Sequence, residues 1–159
     1  MDRLKQLSEQ VGAMLLQSGD VMVSAESCTG GGVAAAVTDI SGSSAWFDRA
    51  FITYSNEAKM EMLGVTADSL DNFGAVSQQV VKEMAEGAVK NSNGTISVSI
   101  SGIAGPTGGS EEKPVGTVWF GWHCKDKSIQ ECCLFDGDRA SVRYQACIHA
   151  LEGIEKLLK

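Results

Sequence analysis

A junction between an apolar run and a glycine-rich turn, near the start of the chain, constrains the fold most. Residues 21–23 (VMV) are apolar, residues 25–32 read AESCTGGG, and residues 33–37 (VAAAV) are typical of a helix. This order predicts a buried strand, a turn and a helix, which is the repeating unit of α/β proteins. The small hydroxyl side chains of such a turn lie at the rim of a sheet, where the N–H groups of the helix start point towards a bound group.

Helical and strand-like patterns alternate along most of the chain. Helices are predicted over residues 3–18, 30–39 and 56–63, the last capped by Asn56, followed by a helix capped by Ser77 and a final one capped by Asp138. Strands are predicted over residues 21–25, 51–54, 95–101, 115–122 and 129–135, with the last two paired as a hairpin. We therefore expect an α/β fold, a single three-layer α/β/α domain over residues 1–159 with a mostly parallel mixed sheet.

Composition excludes several classes of function. The chain has 159 residues, of which 43% are hydrophobic and 21% charged, as expected for a soluble globular protein. Its formal net charge of −7 argues against nucleic-acid binding, which needs a clustered basic surface, but permits a small anion held by local cations. No stretch is long and apolar enough to predict a membrane span, and the polar N-terminus does not resemble a signal peptide. We expect a cytoplasmic protein.

The cysteine pattern predicts reduced thiols and no metal site. No two cysteines form a CxxC pair, and neither histidine, His123 or His149, stands at ligand spacing from them. Most of the cysteines are expected to be small core residues. The five cysteines are Cys28, Cys124, Cys132, Cys133 and Cys147.

Four residues in two short segments are candidates for catalysis. Ser27 is either a nucleophile at a helix start or a helix cap, and Cys28 is a rival nucleophile or a buried small residue. Lys59 can activate a serine if burial keeps its amine neutral; otherwise it is a solvated surface lysine. Tyr54 is a core residue, or one that stacks on a ring or transfers a proton.

Two further segments are candidates for binding an anion. The loop over residues 101–109 (SGIAGPTGG) is rich in glycine, so its N–H groups can approach an oxyanion or a phosphate. Arg139 and Arg143 lie one turn apart on one face of the last helix. They either hold an anion or are neutralised by Asp136 and Asp138.

The motifs together resemble a known family. AESCTGG, DISGSSAWF, TYSNEAK, GAVS, SGIAGPTGG, EEKPVGTVWF and the GDR before the last helix occur in this order and span essentially the whole chain. In these motifs the chain resembles the CinA C-terminal domain family, the nicotinamide mononucleotide deamidases. The resemblance implies hydrolysis of nicotinamide mononucleotide to nicotinate mononucleotide and ammonia, in pyridine nucleotide recycling.

The resemblance also assigns roles to individual residues. It implies that Ser27 is the nucleophile, that Lys59 is its base and that Tyr54 lies at the site. The substrate, a small nucleotide, is expected to contact Thr29, Gly30, Asn56, Gly102, Gly105, Thr107 and Arg143. Arg143 is expected to hold the phosphate, with Arg139 and the 102–109 loop left as alternatives. The implied reaction uses neither a metal nor an organic cofactor, and the protein is expected to form homo-oligomers.

Two alternatives remain open at this point. The first is a non-catalytic nucleotide-binding domain associated with competence, which would need only the pocket. The second is an amidase that uses Cys28 as its nucleophile.

Overall fold

The computed structural model describes residues 2–159, which form helices and strands in alternation. The helices are α1 (Arg3–Ser18), α2 (Gly32–Thr38), α3 (Asn56–Leu63), α4 (Ala67–Phe73), α5 (Gln78–Lys90) and α6 (Arg139–Leu158). The strands are β1 (Met22–Glu26), β2 (Phe47–Ile52), β3 (Ile96–Gly102), β4 (Thr117–Cys124) and β5 (Lys127–Leu134). Among these residues, no helix combines the length and the apolar character needed to cross a membrane.

The five strands form one mixed sheet in the order β2-β1-β3-β4-β5. Strand β1 pairs in parallel with β2 and β3, whereas β4 is antiparallel to both β3 and β5. Four strands therefore run in one direction and only β4 runs against them. This arrangement confirms the predicted mostly parallel mixed sheet and the predicted hairpin at its end.

Helices cover both faces of the sheet and give the three layers. On one face, α1, α2 and α6 enclose a core with the apolar side chains of β3 and β4, including the buried Val98 and Phe120. On the other face, α3 and α5 enclose a smaller core with Val23 and Ala25 of β1. The predicted three-layer α/β/α architecture is thus confirmed.

The small polar face of β3 lies against a helix and not in water. Ser97 and Ser99 donate hydrogen bonds to the α5 carbonyl oxygens of Ala85 and Val81, at 2.7 and 2.6 Å. A Cβ added to Gly121 of β4 would lie 2.4 Å from the Val81 oxygen. Small residues on this face therefore let α5 approach the sheet closely.

Two local predictions were wrong, and one helix was missed. Strand β2 begins at Phe47, four residues earlier than predicted, because the parallel pairing with β1 carries the polar segment Asp48–Arg49 into the sheet. Ser55, and not Asn56, caps α3 by accepting the Ala58 N–H. Helix α4 was not predicted at all, because it is short and buries none of its residues.

The topology places one crevice at the carboxyl edge of the sheet. The chain moves from β1 outwards to β2 and then returns past β1 to β3. Such a reversal leaves an opening between β1 and β3 at their carboxyl ends, which is where α/β sheets commonly bind ligands. The AESCTGGG turn and the glycine-rich loop both begin at this edge.

Candidate active site

Ser27 lies immediately after β1, at the crevice. Its backbone N–H donates to the carbonyl of Ile100 in β3 at 3.0 Å, so the pairing of the two strands continues through the serine. The residue is only 8% exposed, and its side chain lines the crevice. The register of β1 and β3 thus fixes the position of a hydroxyl at the edge of the sheet.

Lys59 reaches Ser27 from helix α3, which packs on the face of the sheet opposite to α2. The lysine is on α3, is 1% exposed, and its Nζ lies 3.1 Å from Ser27 Oγ and 3.0 Å from the Thr53 carbonyl oxygen. Among residues 2–159, no carboxylate forms a salt bridge with it. Burial therefore lowers the pKa of Lys59 below its ordinary value, because water no longer stabilises the ammonium form.

A cavity of about 210 Å³ opens over the Ser27–Lys59 pair. Its walls come from the turn after β1, from the start of α3, from the segment before α5, from the end of β3 and from the start of α6. The residues that line it are Ser27, Cys28, Tyr54, Asn56, Lys59, Ala75, Val76, Ser101, Gly102, Ala104 and Arg139.

Tyr54 and Arg139 form the outer rim of the cavity. Tyr54 is 65% exposed, and its hydroxyl lies 3.2 Å from Nη2 of Arg139. Arg139 also donates to the carbonyl oxygen of Gly105 at 2.8 Å. The tyrosine hydroxyl is thus engaged with an arginine at the mouth, and not with Ser27 or Lys59.

Cys28 lines the same cavity but is poorly suited to attack. Burial raises the pKa of its thiol to about 11, with a smaller contribution from the neighbouring Glu26. Because the thiolate is the nucleophilic form, a thiol whose pKa is raised in this way is mostly protonated near neutral pH and is a weaker nucleophile. The geometry and the electrostatics both favour Ser27 over its neighbour.

Glu26 is a buried residue that sequence reasoning missed. Its carboxylate is 0% exposed and accepts four hydrogen bonds, from the hydroxyls of Ser24 and Thr29 and from the N–H groups of Val33 and Ala34. The end of β1 is thereby joined to the start of α2, with Ser27 between them. The sequence did contain a signal for this role. An acidic residue ends a buried strand, and after a short turn a helix begins with free N–H groups that a carboxylate can accept from.

Arg143 contacts the turn that follows β1 and carries Ser27 (residues 27–31, here called the nucleophile turn for the candidate role of that serine). Its Nε donates to the carbonyl oxygen of Cys28 at 3.0 Å and its Nη2 to that of Thr29 at 3.2 Å. A Cβ on Gly30, whose φ is +59°, would lie 3.1 Å from the guanidinium. Arg143 does not line the cavity, although Arg139 on the same helix does.

The remaining predicted substrate contacts differ in how close they lie to the pair. Asn56 and Gly102 line the cavity. The hydroxyl of Thr29 is occupied by Glu26, and the carbonyl of Gly105 is occupied by Arg139. Thr107 is exposed on the glycine-rich loop and is not among the lining residues.

The geometry defines a class of protein: a three-layer α/β domain with a buried serine–lysine pair in the crevice at the carboxyl edge of its sheet. Comparison with known proteins adds the family. Residues 4–158 match the family described as CinA C-terminal domain. The chain belongs to the CinA C-terminal domain family.

Relatives in this family are similar to the chain over nearly its whole length. The nicotinamide-nucleotide amidohydrolase PncC of Enterobacter agglomerans is 55% identical, over 94% of this chain and 92% of that protein. The protein of the same name from Pseudomonas putida is 46% identical, over 99% and 98%. A crystal structure of the competence/damage inducible protein CihA from Agrobacterium tumefaciens superposes with a TM-score of 0.96 at 39% identity, covering 100% and 98%.

Proposed function

We propose that this chain hydrolyses the carboxamide of nicotinamide mononucleotide, with Ser27 as nucleophile and Lys59 as its base. The observation that carries the proposal is the 3.1 Å separation between Lys59 Nζ and Ser27 Oγ inside a nearly buried site. The names of the relatives from Enterobacter agglomerans and Pseudomonas putida support the substrate class. The motifs AESCTGG and TYSNEAK, which contain these two residues, support the assignment of roles.

In the first step, neutral Lys59 accepts the proton of Ser27 while the serine oxygen attacks the carboxamide carbon. A serine hydroxyl is a weak nucleophile without a base at hydrogen-bond distance. The Thr53 carbonyl accepts a hydrogen bond from the same amine and keeps it pointed at the serine. A lysine whose pKa is lowered by burial supplies the neutral amine that this step needs.

Backbone N–H groups of the nucleophile turn are candidates for stabilising the oxyanion. Within residues 2–159, the N–H groups of Cys28 and Thr29 have no backbone acceptor, whereas that of Gly30 donates to the Ser27 carbonyl at 3.0 Å. We therefore place the oxyanion donors at Cys28 and Thr29 and not at Gly30. One such donor is typically worth about 3 kcal/mol in the transition state.

The second half of the reaction returns the enzyme to its starting state. The protonated Lys59 donates its proton to the leaving amine, so that ammonia departs and an acyl ester on Ser27 remains. The lysine, neutral again, then removes a proton from water, which attacks the ester carbon. The Ser27 oxygen leaves with that proton, and nicotinate mononucleotide is released.

Arg139 is placed better than Arg143 to hold the substrate phosphate. Arg139 lines the cavity mouth, whereas the two hydrogen bonds of Arg143 go to carbonyl oxygens of the nucleophile turn. Since the chain carries a net charge of −7, only a local cation can attract an anionic substrate. We propose that Arg139 binds the phosphate and that Arg143 keeps the turn in position.

The test of the proposal is ammonia release from nicotinamide mononucleotide by the purified protein and by two neighbouring variants. We expect Ser27→Ala to abolish nearly all release, since the attacking oxygen is lost, and Cys28→Ala to retain most of it. A folded but inactive Cys28→Ala variant would move the chemistry to the thiol. No release by the wild-type protein would favour the non-catalytic nucleotide-binding alternative associated with competence.

Two further proposals concern the location of the protein in the cell and its oligomeric state. We propose that the enzyme works in the cytoplasm, where its nucleotide substrate is present, and that it assembles into homo-oligomers. The first is tested by cell fractionation. The second is tested by light scattering on the purified protein, where a monomeric mass at micromolar concentration would contradict it.

A further inference from the structure

A second cluster of reactive side chains lies away from the active site. Glu131 and Cys133 project from β5, and His149 on α6 meets them; one ligand atom of each lies within 4.8 Å of the others. The sequence showed no ligand spacing because Cys133 and His149 are sixteen residues apart and come together only when α6 packs against the sheet. We infer that these three residues form a binding site for a thiophilic divalent cation of the zinc class.

The distances from the thiol suit a shared tetrahedral ion. Cys133 Sγ lies 3.4 Å from His149 Nε2 and 3.7 Å from Glu131 Oε1. Bonds of about 2.3 Å to sulfur and about 2.0–2.2 Å to nitrogen and oxygen, at tetrahedral angles, require separations of about 3.6 Å. Thiolate, imidazole and carboxylate are also the donor types that zinc selects.

For an ion to fit among the three ligand atoms, only the contact between Glu131 and His149 must open. The Glu131 carboxylate touches Nε2 of His149 directly, which leaves no room for an ion between them. The Glu131 side chain is 46% exposed, so it can move outwards by the necessary ångström without disturbing the core. The fourth coordination position is left to water, as in zinc sites with three protein ligands.

The imidazole of His149 is already held in the orientation that a ligand needs. Its ring packs against Phe120, with centroids 4.7 Å apart, and also against Trp122 and Phe135. Nε2 faces Cys133, while Nδ1 lies 3.8 Å from a carboxylate oxygen of Glu152. A histidine ligand commonly donates its second N–H to a carboxylate, which fixes its tautomer. Glu152 would have to approach His149 Nδ1 by a few tenths of an ångström or more to accept this hydrogen bond.

A route from solvent to the cluster exists. A groove of about 470 Å³ beside the cluster is lined by Glu131, His149 and Glu152, among others. Lysines at the groove, Lys127 and Lys156, reduce its attraction for cations, so the thiolate and the imidazole must supply the affinity. The groove shares no lining residue with the cavity over Ser27 and Lys59.

The separation from the active site indicates a stabilising ion and not a catalytic one. Among the strands of residues 2–159, β5 is at the edge of the sheet and pairs only with β4. An ion bound by Glu131, Cys133 and His149 would tie this edge strand to α6, the helix that supplies Arg139 and Arg143. An ion that binds the folded state but not the unfolded state raises the free energy of unfolding.

Cobalt(II) titration tests the site, because a cobalt–thiolate bond gives a charge-transfer band. The matched control is Cys132→Ser, since Cys132 is adjacent on β5 and its side chain points to the other face of the sheet. We expect one Co²⁺ per chain with a thiolate band in the wild type and in Cys132→Ser, and no band in Cys133→Ser or His149→Gln. The absence of the band in the wild type, or its persistence in Cys133→Ser, overturns the assignment.

Thermal unfolding provides a measurement that does not depend on spectroscopy or on activity. With zinc at about a hundredfold excess over its dissociation constant, the wild-type Tm should rise by about 5 to 10 °C. The Tm of Cys133→Ser should not respond, whereas that of Cys132→Ser should respond like the wild type. Equal shifts in the two serine variants would mean that the zinc binds elsewhere.

Discussion

The turn that carries Ser27 is bordered on two sides by ionisable residues, and the two sides differ in what these residues contact. On the anchoring side, Glu26 and Arg143 contact the turn itself and the start of α2. On the pocket side, Lys59 contacts the Ser27 hydroxyl, and Arg139 stands at the cavity mouth. The anchoring side fixes the backbone, whereas the pocket side presents amine and guanidinium groups to the cavity.

The contrast is sharpest between the two fully buried ionisable side chains, Glu26 and Lys59. The carboxylate of Glu26 accepts four hydrogen bonds, so its desolvation is offset by its partners. Lys59 has two oxygen partners, neither of them charged, and burial lowers its pKa. The partners of Glu26 suit a scaffold role, while a buried amine with no counter-charge among residues 2–159 suits the base role that we propose for Lys59.

The largest effect that would sharpen this comparison is expected for Lys59→Met. Methionine keeps much of the alkyl volume but cannot accept the serine proton, so kcat should fall by about a thousandfold or more. The free energy of unfolding should not fall, because the variant no longer buries an amine without a counter-charge. Steady-state ammonia release and thermal unfolding measure the two effects.

A surface lysine serves as the matched control for that variant. Lys82 pairs with Glu86 one turn along α5, and both side chains are about half exposed. Lys82→Met should leave kcat unchanged and alter the free energy of unfolding by less than about 0.5 kcal/mol. Activity of Lys59→Met within tenfold of the wild type would break the comparison, since Lys59 would then not be the base.

Most of the helices and strands could be predicted from the sequence because local patterns carry them. The helical spacing over residues 3–18 and the alternation in β3 are visible in any short window. The roles of Ser27 and Lys59 were implied only by the resemblance of the motifs to a known family, because position alone left a helix cap and a solvated lysine as alternatives.

The partners of Glu26 and the meeting of Cys133 with His149 depend on strand register and helix packing, so no window contains them. The two arginines illustrate the same limit. Their spacing puts Arg143 on the same helix face as Arg139, but it does not show which of the two reaches the cavity.

A second, smaller effect separates the two arginines. If Arg139 binds the phosphate, Arg139→Ala should lower kcat/KM for nicotinamide mononucleotide by about tenfold to a hundredfold, the worth of one charge-assisted hydrogen bond. The same variant should lose much less on nicotinamide riboside, which lacks the phosphate. Arg143→Ala should lower activity on both substrates by a similar factor, because it loosens the turn that carries Ser27.

The assay therefore needs both substrates with both variants. A loss specific to the mononucleotide in Arg143→Ala would restore the prediction made from the sequence, that Arg143 holds the phosphate. Similar losses on the two substrates in Arg139→Ala would assign the phosphate to the 102–109 loop, and Arg139 to a structural role with Tyr54 and Gly105.

The next expected effect is on pH dependence. If neutral Lys59 is the base, kcat/KM should rise about tenfold per pH unit below an apparent pKa that lies under the ordinary lysine value. Stability should follow the same group: the unfolded chain keeps this proton to higher pH than the folded chain does. The unfolded state therefore binds more protons between the two pKa values, so stability rises with pH across that window.

Comparison with Lys59→Met isolates this contribution. As pH rises from below the pKa of Lys59 in the folded state towards its pKa in the unfolded state, the free energy of unfolding of the wild type should increase relative to that of Lys59→Met. A difference between the two proteins that stays constant with pH would mean that burial does not perturb Lys59. An activity profile that keeps rising up to the ordinary lysine pKa would also argue against a lowered pKa for the base.

The smallest effect on activity is expected on the anchoring side, for Glu26→Gln. Glutamine offers one acceptor oxygen, so its NH₂ group must face the N–H group of Val33 or Ala34. Leaving such a buried donor without an acceptor should cost about 2–3 kcal/mol of unfolding free energy and lower Tm by about 5 to 10 °C. Because the base and nucleophile remain, kcat should fall by less than tenfold at a temperature where the variant is folded.

An exposed carboxylate provides the control for Glu26→Gln. Glu86→Gln, on the exposed pair with Lys82, should change neither kcat nor the free energy of unfolding, since a surface ion pair contributes little. A thousandfold loss of kcat in a folded Glu26→Gln enzyme would erase the distinction between the two sides. The carboxylate would then take part in the chemistry, and the anchoring side could no longer be separated from the pocket side by what its charges contact.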